Sequence, residues 1–244
     1  MSAPEADGGS RLYFRQLLSG RDFAKSDPIA RQMVNFAYAL GDRAKGEAVL
    51  VDPAYAPSEL IDAIEADGMR LSGVLVTHYH ADHAGGNLFG HDIAGLRGVL
   101  EQASVPVHVQ KSEVPWVVRA AGVGEADLVA HDPDDRVIVG DLEVRLIHTP
   151  GHTPGSQCFL VEGRLVAGDT LFLEGCGRTD LPGSDPAAMY ESLQVRLARL
   201  PDSTVVYPGH LYSAEPSADL AEVKRWNPVL APRTSEEWLR LFGG

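Results

Sequence analysis

The sequence is poor in cysteine and in positive charge. Its two cysteines, Cys158 and Cys176, are too few for a disulfide framework, and their spacing matches no zinc-finger pattern. Lysine and arginine number 21 against 34 aspartate and glutamate, which gives a net charge of −13. Nucleic acids and anionic membranes are bound through phosphate neutralisation by basic side chains, so the charge argues against both partners.

The sequence also has no long apolar run, and its first residues do not resemble a secretory leader. No apolar run approaches the roughly 18 residues that would span a bilayer. The start, residues 1–10, is polar and acidic, unlike a leader with a basic and then an apolar region. We therefore expect a cytoplasmic protein that acts on a small molecule. The sequence leaves a homodimer open.

What the sequence does contain is a series of short β-branched segments bounded by turn residues, which predict strands. The predicted strands are Glu47–Val51, Gly73–Thr77, Val105–Val109, Arg136–Val139, Leu142–Ile147, Cys158–Val161, Arg164–Ala167 and Thr204–Tyr207. Two pairs are separated only by Gly140-Asp141 and Glu162-Gly163, which predicts tight antiparallel hairpins. Helical periodicity marks Pro57–Asp67, Pro186–Leu200 and Ser235–Phe242. Together they predict one α/β (α+β) domain over residues 1–244, with sheet on sheet and helices outside.

Three of the nine histidines crowd into one segment that directly follows a predicted strand. In the pattern His78-x-His80-x-Asp82-His83, side-chain alternation puts the first two histidines on one side, while Asp82 and His83 begin the next element. Imidazole and carboxylate are ligands for zinc, iron or manganese. One short segment can therefore serve two neighbouring metal positions, although it cannot complete both.

Candidates for the missing ligands stand where later predicted strands give way to loops. They are His152, Asp169 and His210, and each directly follows a glycine. Glycine lets the backbone come close to a ligand, and loops at strand ends converge on binding sites. We therefore predict that these three side chains complete the metal site.

Four other histidines are not assigned to metal. His91, His108 and His131 have no ligand-type companions in the sequence and are expected on the surface or satisfied in the core. His148 lies in the same loop as His152 and is expected to pack beside the site or support it.

The ordered set His-x-His-x-Asp-His, Gly-His, Gly-Asp and Gly-His closely resembles the metallo-β-lactamase superfamily, over about Glu47 to Tyr212. The resemblance implies a four-layer αββα sandwich. It assigns a first metal to His78, His80 and His152, a second to Asp82, His83 and His210, and a bridging role to Asp169. It also places Asp52 behind the ligands, where it orients a ligand histidine.

Two zinc ions held in this way imply hydrolysis by a metal-bound hydroxide. On that interpretation Asp82 and Asp169 are catalytic, because they orient the nucleophile, and the substrate is a thioester such as an acyl-glutathione, or a related ester. No serine or cysteine nucleophile is required, and Cys158 lies within an apolar strand pattern.

The segment Gly168–Asp180 narrows the resemblance to two kinds of enzyme. It is similar to a segment shared by glyoxalase II, which hydrolyses acyl-glutathione, and persulfide dioxygenases, which oxidise glutathione persulfide to sulfite at one iron. Its ending Thr179-Asp180 and the chain after His210 favour the dioxygenase. That alternative implies one Fe(II) on His78, His152 and Asp169, with Cys176 and Arg178 near the thiol substrate.

Some features depart from both kinds of enzyme. Tyr79 stands where dioxygenases often have a small residue or cysteine, and it is expected to lie behind the ligands or against the substrate. Residues 111–132 are expected to be an insertion or lid, residues 1–20 a partly flexible extension, and residues 213–244 a C-terminal tail with a helix. The substrate is therefore left open beyond the two glutathione derivatives.

Overall fold

The structure is a computed structural model that describes residues 10–232 and 234–243. Its strands are β1 (Leu12–Leu18), β2 (Phe36–Asp42), β3 (Glu47–Val51), β4 (Arg70–Leu75), β5 (Gly86–Leu88), β6 (His91–Ile93), β7 (Val107–Gln110), β8 (Leu128–His131), β9 (Arg136–Val139), β10 (Leu142–His148), β11 (Gln157–Val161), β12 (Arg164–Gly168), β13 (Val205–Pro208) and β14 (Ala218–Asp219).

The helices are α1 (Pro28–Met33), α2 (Pro57–Ala66), α3 (Ala81–Ala84), α4 (Leu96–Leu100), α5 (Val114–Ala121), α6 (Pro186–Glu191), α7 (Leu220–Trp226) and α8 (Ser235–Phe242). Short 3-10 turns lie at Lys111–Glu113, Glu125–Asp127 and Pro228–Leu230, and a π-helical segment at Ser192–Leu197 continues α6. Among the described residues, none of these helices combines the length and apolar character needed to cross a bilayer.

Twelve of the fourteen strands in the described ranges form two six-stranded sheets, and β5 and β6 form a separate two-stranded sheet. The first has the order β1-β2-β3-β4-β7-β8, in which β1 to β3 are antiparallel and the rest parallel. The second has the order β14-β13-β12-β11-β10-β9 and is antiparallel except between β12 and β13. Both predicted hairpins, β9 with β10 and β11 with β12, are confirmed.

Alternation along the strands explains why each sheet is covered on both faces. In β3, Leu50 packs against the helices outside the first sheet, while Val49 and Val51 pack between the two sheets. In β12, Val166 also faces that central layer, and Leu165 faces the helices outside the second sheet. Three apolar layers therefore join four structural layers, and the predicted αββα sandwich is confirmed.

The N-terminal extension predicted for residues 1–20 is wrong where the structure describes it. Leu12–Leu18 is the edge strand β1, paired with β2 along its whole length. Leu12 and Leu18 pack between the sheets, and Tyr13 and Leu17 pack on the opposite face. Burial of both faces holds this segment in the fold. Residues 1–9 of the predicted extension lie outside the described residues.

The segment predicted as an insertion or lid, residues 111–132, contributes a strand to the first sheet and a helix to the layer outside it. Its helix α5 buries Val117 and Ala121 in the outer core, and its last strand β8 pairs in parallel with β7. Its action as a lid stays a prediction.

The other predicted helices are found with small changes at their ends. Helix α8 has the predicted bounds but is capped by Thr234, whose side chain accepts a hydrogen bond from the Glu237 amide. The helix predicted at Pro186–Leu200 is α-helical only to Glu191 before the π-helical segment begins. In the tail, Trp238 of α8 is fully buried against the outer face of the second sheet.

Candidate metal centre

The histidine-rich motif leaves the end of β4 and turns into α3. His78 and His80 lie on the extended segment before this helix, and Asp82 and His83 lie on its single turn. Gly85 ends the turn with φ of +88°, and a Cβ there would come within 2.7 Å of the Gly95 backbone. Glycine thus allows a sharp turn directly after α3, and the four ligand-type side chains before it stay close to one another.

The first ligand group consists of His78, His80 and His152. Nδ1 of His80 lies 3.0 Å from Nε2 of His152, and the His78 ring centroid lies 4.8 Å from each of their ring centroids. Nε2 of His78 is buried and has no hydrogen-bond partner in residues 10–232 and 234–243. An unpaired buried polar atom costs about 1–3 kcal/mol. The convergence of these nitrogens therefore fits a bound cation.

The second ligand group consists of Asp82, His83 and His210. The Nε2 atoms of the two histidines lie 3.2 Å apart, and Oδ2 of Asp82 lies 3.5 Å from His83 and 3.4 Å from His210. Ligands at zinc distances of about 2.0–2.1 Å in a tetrahedron lie about 3.3–3.4 Å apart. The spacing within the second group thus fits a metal of that size.

Asp169 lies between the two groups. Its Oδ1 is 3.4 Å from Nε2 of His83, and its Oδ2 is 3.4 Å from Nε2 of His210 and 3.7 Å from Nε2 of His152. Oδ1 is buried and lacks a hydrogen-bond partner within the described part of the chain. A Cβ at residue 209 would lie 2.3 Å from this oxygen, so Gly209 leaves room for it. The carboxylate therefore lies close to ligand-type nitrogens of both groups.

In four of the five candidate ligand histidines, Nδ1 faces an oxygen atom. Nδ1 of His83 lies 2.9 Å from Oδ2 of Asp52, which is the contact expected of an orienting residue. Asp52 also accepts a 2.5 Å hydrogen bond from the Thr77 hydroxyl, and that hydroxyl lies 2.9 Å from Nδ1 of His78. Such partners fix the tautomer and leave the other ring nitrogen free for a metal.

Backbone carbonyls orient two further histidines. Nδ1 of His210 lies 2.8 Å from the carbonyl oxygen of Met33, and Nδ1 of His152 lies 2.8 Å from that of Arg178. These carbonyls can only accept, so each Nδ1 donates and each Nε2 keeps a free lone pair. Both Nε2 atoms therefore suit metal binding.

Sequence reasoning missed Asn35, which contacts the whole second group. Its Nδ2 lies 3.0 Å from Asp82 Oδ2, 3.2 Å from His83 Nε2 and 3.4 Å from His210 Nε2, while the Tyr55 hydroxyl donates to its Oδ1 at 2.9 Å. Asn35 stands just before β2, far from every motif, and no local pattern marks it. Its place is set by the backbone bridge between Asn35 and His210.

Charge in the centre favours a cation. Burial lowers the pKa of His80 to about 4, so this imidazole is neutral and able to bind metal at neutral pH. Burial also lowers the pKa of His83, but the surrounding carboxylates of Asp169, Asp82 and Asp52 raise it to about 10. Three carboxylates around one buried imidazole thus stabilise positive charge at this point.

The remaining predicted site residues lie around the first group. Tyr79 stacks on Trp116, with ring centroids 5.0 Å apart, and its hydroxyl donates to the Pro182 carbonyl. Arg178 pairs its exposed side chain with Asp180 and faces His152 with its carbonyl. Cys176 packs against the outer apolar layer, where burial raises the pKa of its thiol to about 12. Contact of Cys176 or Arg178 with a thiol substrate stays a prediction.

The histidines not assigned to metal lie elsewhere. His91 is exposed, and Nδ1 of His108 lies 2.9 Å from Nε2 of His131 in the parallel β7–β8 pair. Nε2 of His148 lies 3.0 Å from the Pro154 carbonyl oxygen, beside the loop that carries His152. None of these four histidines belongs to either ligand group.

A family model described as the metallo-beta-lactamase superfamily matches residues 32–210, which include all of the candidate ligands. The chain belongs to this superfamily. The resemblance inferred from the ordered ligand motif is thereby confirmed, and so is its fold. The chain has the histidine and aspartate clusters of a metal site and is a metal-binding protein of this superfamily.

Relatives within the superfamily include two kinds of enzyme. The human mitochondrial persulfide dioxygenase ETHE1 is 31% identical over 239 residues, which cover 94% of this chain and 86% of the relative. A hydroxyacylglutathione hydrolase of Rhodopseudomonas palustris is 36% identical over 205 residues, covering 83% of this chain and 72% of the relative. The crystal structure of ETHE1 from Myxococcus xanthus superposes with a TM-score of 0.77 at 30% identity, covering 95% and 90% of the two chains. The chain is thus an enzyme of the branch that holds these two activities.

Proposed function

We propose that the chain is a metal-dependent hydrolase that cleaves a thioester of the acyl-glutathione class, or a related ester, with zinc at both ligand groups. The observation that carries this proposal is the position of Asp169. One carboxylate lies 3.4 Å from ligand nitrogens of the second group and 3.7 Å from one of the first. A shared carboxylate is suited to a two-metal site, whose ions lie about 3.5–4 Å apart.

The residues around the centre have distinct tasks in this reaction. When bound, the two ions supply Lewis acidity and lower the pKa of water toward neutrality. Asp82 and Asp169 accept hydrogen bonds from the attacking water and orient it. Burial alone would raise the pKa of Asp169, but His210 and His83 hold it well below its usual range. Asp169 therefore stays ionised and able to accept throughout the neutral range.

Side chains beside the first ligand group orient the substrate. Tyr79, whose ring lies 4.6 Å from that of His80 between centroids, stacks on Trp116, and the Arg119 guanidinium lies 4.6 Å from the Trp116 ring centroid. Arg119 is exposed at this rim of an acidic protein. A cation at this place suits the carboxylates of a glutathione derivative. The similarity to hydroxyacylglutathione hydrolase supports the same substrate class.

A second candidate is a persulfide dioxygenase with one Fe(II) on His78, His152 and Asp169. The share of each chain that aligns favours it, since 86% of human ETHE1 is covered compared with 72% of the hydrolase relative. Two histidines and one carboxylate are a known ligand set for Fe(II) in oxygenases. The ending Thr179-Asp180 of the loop that follows Gly168 favours the same candidate.

One pair of measurements separates the two candidates. Metal content is determined by mass spectrometry on the purified chain, and hydrolysis of an acyl-glutathione thioester is compared with oxygen uptake on glutathione persulfide. Two zinc ions per chain with thioester hydrolysis and no oxygen uptake are expected. One iron per chain with oxygen uptake would reject the hydrolase in favour of the dioxygenase, and a chain that binds neither metal would reject both.

A further inference from the structure

A buried carboxylate outside the ligand set joins the two loops that carry the first ligand group. Glu113, at the end of the 3-10 turn before α5, is 1% exposed. Its Oε1 accepts hydrogen bonds from the Tyr79 amide and the Thr153 hydroxyl, both at 2.8 Å. Its Oε2 accepts one from the Gly155 amide at 2.7 Å. One side chain thus spans two segments that are far apart in the sequence.

Two of the three partners of Glu113 are immediate neighbours of the first group's ligands. Tyr79 stands between His78 and His80, and Thr153 follows His152. The second group has other supports, namely the Asp52 carboxylate, the Asn35 amide and the Met33 carbonyl. A shift of Glu113 would therefore change the spacing of the first group and leave the second in place.

Stability alone does not account for a carboxylate at this position. Among the described residues no lysine, arginine or histidine forms an ion pair with Glu113. Burial raises its pKa to about 7, even though its three hydrogen bonds oppose the rise. Burying a charge without a cation is costly, and a neutral residue would avoid that cost. What only a carboxylate offers is two acceptor oxygens.

The opposite loop is shaped to receive this carboxylate. A Cβ at residue 155 would lie 2.5 Å from the backbone nitrogen of Glu113 and 2.7 Å from its Oε2. Only glycine permits so close an approach. Thr153, which is fully buried, also bonds to Ser156 Oγ at 2.7 Å, so the receiving turn is itself held rigid.

We propose that Glu113 is the positioning residue of the first ligand group. Its two oxygens hold the His78–His80 segment at a fixed distance from His152 and thereby set the affinity of that position for metal. The inference rests on the ligands assigned in the proposed function but not on the substrate or on the number of metals.

The test is zinc affinity, measured by competition with a chromophoric chelator on the full chain. His210→Ala provides a background in which the first group binds zinc, and His152→Ala one in which only the second group is complete. Glu113→Gln replaces one acceptor oxygen by an NH2 group, so that this group and the N–H donor opposite it can no longer form a hydrogen bond. In the first background we expect about a 10- to 100-fold loss of affinity, as for other partners behind metal ligands. In the second background we expect no change.

A matched control and a second variant make the test specific. Glu101→Gln, on an exposed carboxylate paired with Arg97, should change neither affinity. Thr153→Val removes one of the three donors to Glu113 and should give a smaller loss in the first background. Unfolding temperature in excess chelator reports any general loss of stability separately. Equal losses in both backgrounds, or affinity within about threefold of the control in the first, would overturn the inference.

Failure of the inference is distinguishable from failure of the proposed function. If the unmodified chain binds neither zinc nor iron, the ligand assignment and the proposed function fall together. If the unmodified chain binds metal and Glu113→Gln leaves that binding intact, only the positioning role of Glu113 is refuted.

Discussion

The two ligand groups meet at Asp169 but are held in different ways. The first joins a segment that follows β4 of one sheet to a loop that follows β10 of the other, and Glu113 spans the gap. The second is set on the single turn of α3 and the end of β13, and is supported by Asp52 and Asn35. The two adjacent ligand groups thus have largely separate supports, and we expect that each group can be weakened without the other.

We expect the largest effect on metal content and activity at Asp169, because this residue lies close to ligands of both groups. Asp169→Ala removes the carboxylate that reaches both groups, so both metals should be lost. Hydrolysis should fall by about 10³-fold or more, because metal catalysis supplies several kcal/mol and each 1.36 kcal/mol is tenfold. Metal analysis and thioester hydrolysis check this. A variant that kept its metal and its rate would refute the shared site.

His210→Ala tests whether the groups bind metal independently. Its imidazole belongs to the second group alone and contacts Asp82 and His83. We expect the metal content to fall from two ions per chain to one, with the first group still loaded. Loss of both ions would show that the groups bind as one unit, and retention of both would contradict the ligand assignment.

Asp52→Asn tests whether Asp52 supports the second ligand group alone. Asp52 accepts from His83 Nδ1 and the Thr77 hydroxyl at one oxygen and from the Thr77 amide at the other, whereas asparagine has only one acceptor oxygen. We expect about a 10- to 100-fold weaker second-position affinity for zinc, as for other partners behind metal ligands. Affinity is measured in the His152→Ala background. A loss confined to the first group would reverse the assignment of supports.

Thr77→Val should give the smallest of these effects. The hydroxyl contacts both Asp52 and His78, so it links a support of the second group to a ligand of the first. Valine has nearly the same shape, and the contact that the first group loses directly is the one to His78, a hydrogen bond worth about 0.5–1.5 kcal/mol net. First-position affinity, measured in the His210→Ala background, should drop by less than about tenfold. A loss as large as that of Glu113→Gln would make Thr77 the main support instead.

The parts of the fold that the sequence predicted are those in which local pattern and final environment agree. The β3 segment Glu47–Val51 and helix α8 at Ser235–Phe242 have the predicted bounds, because a short β-branched run and helical periodicity match the places where they stand. Strands β1 and β2 were not predicted. The β2 sequence, Phe36–Asp42, contains alanine and leucine and is fully buried on both faces, so it carries no alternation to recognise.

The sequence alone was enough to predict the candidate ligands, the superfamily and the layered fold, because the ligand-type residues stand in short motifs at the ends of predicted strands. Only the tertiary structure decided what holds those ligands. Asn35 reaches the second group through the pairing around His210, and Glu113 reaches the first through α5 packed on the outer core. Both contacts join residues that are far apart in the chain. Such contacts depend on how sheets and helices pack, and no local pattern of residues encodes that packing.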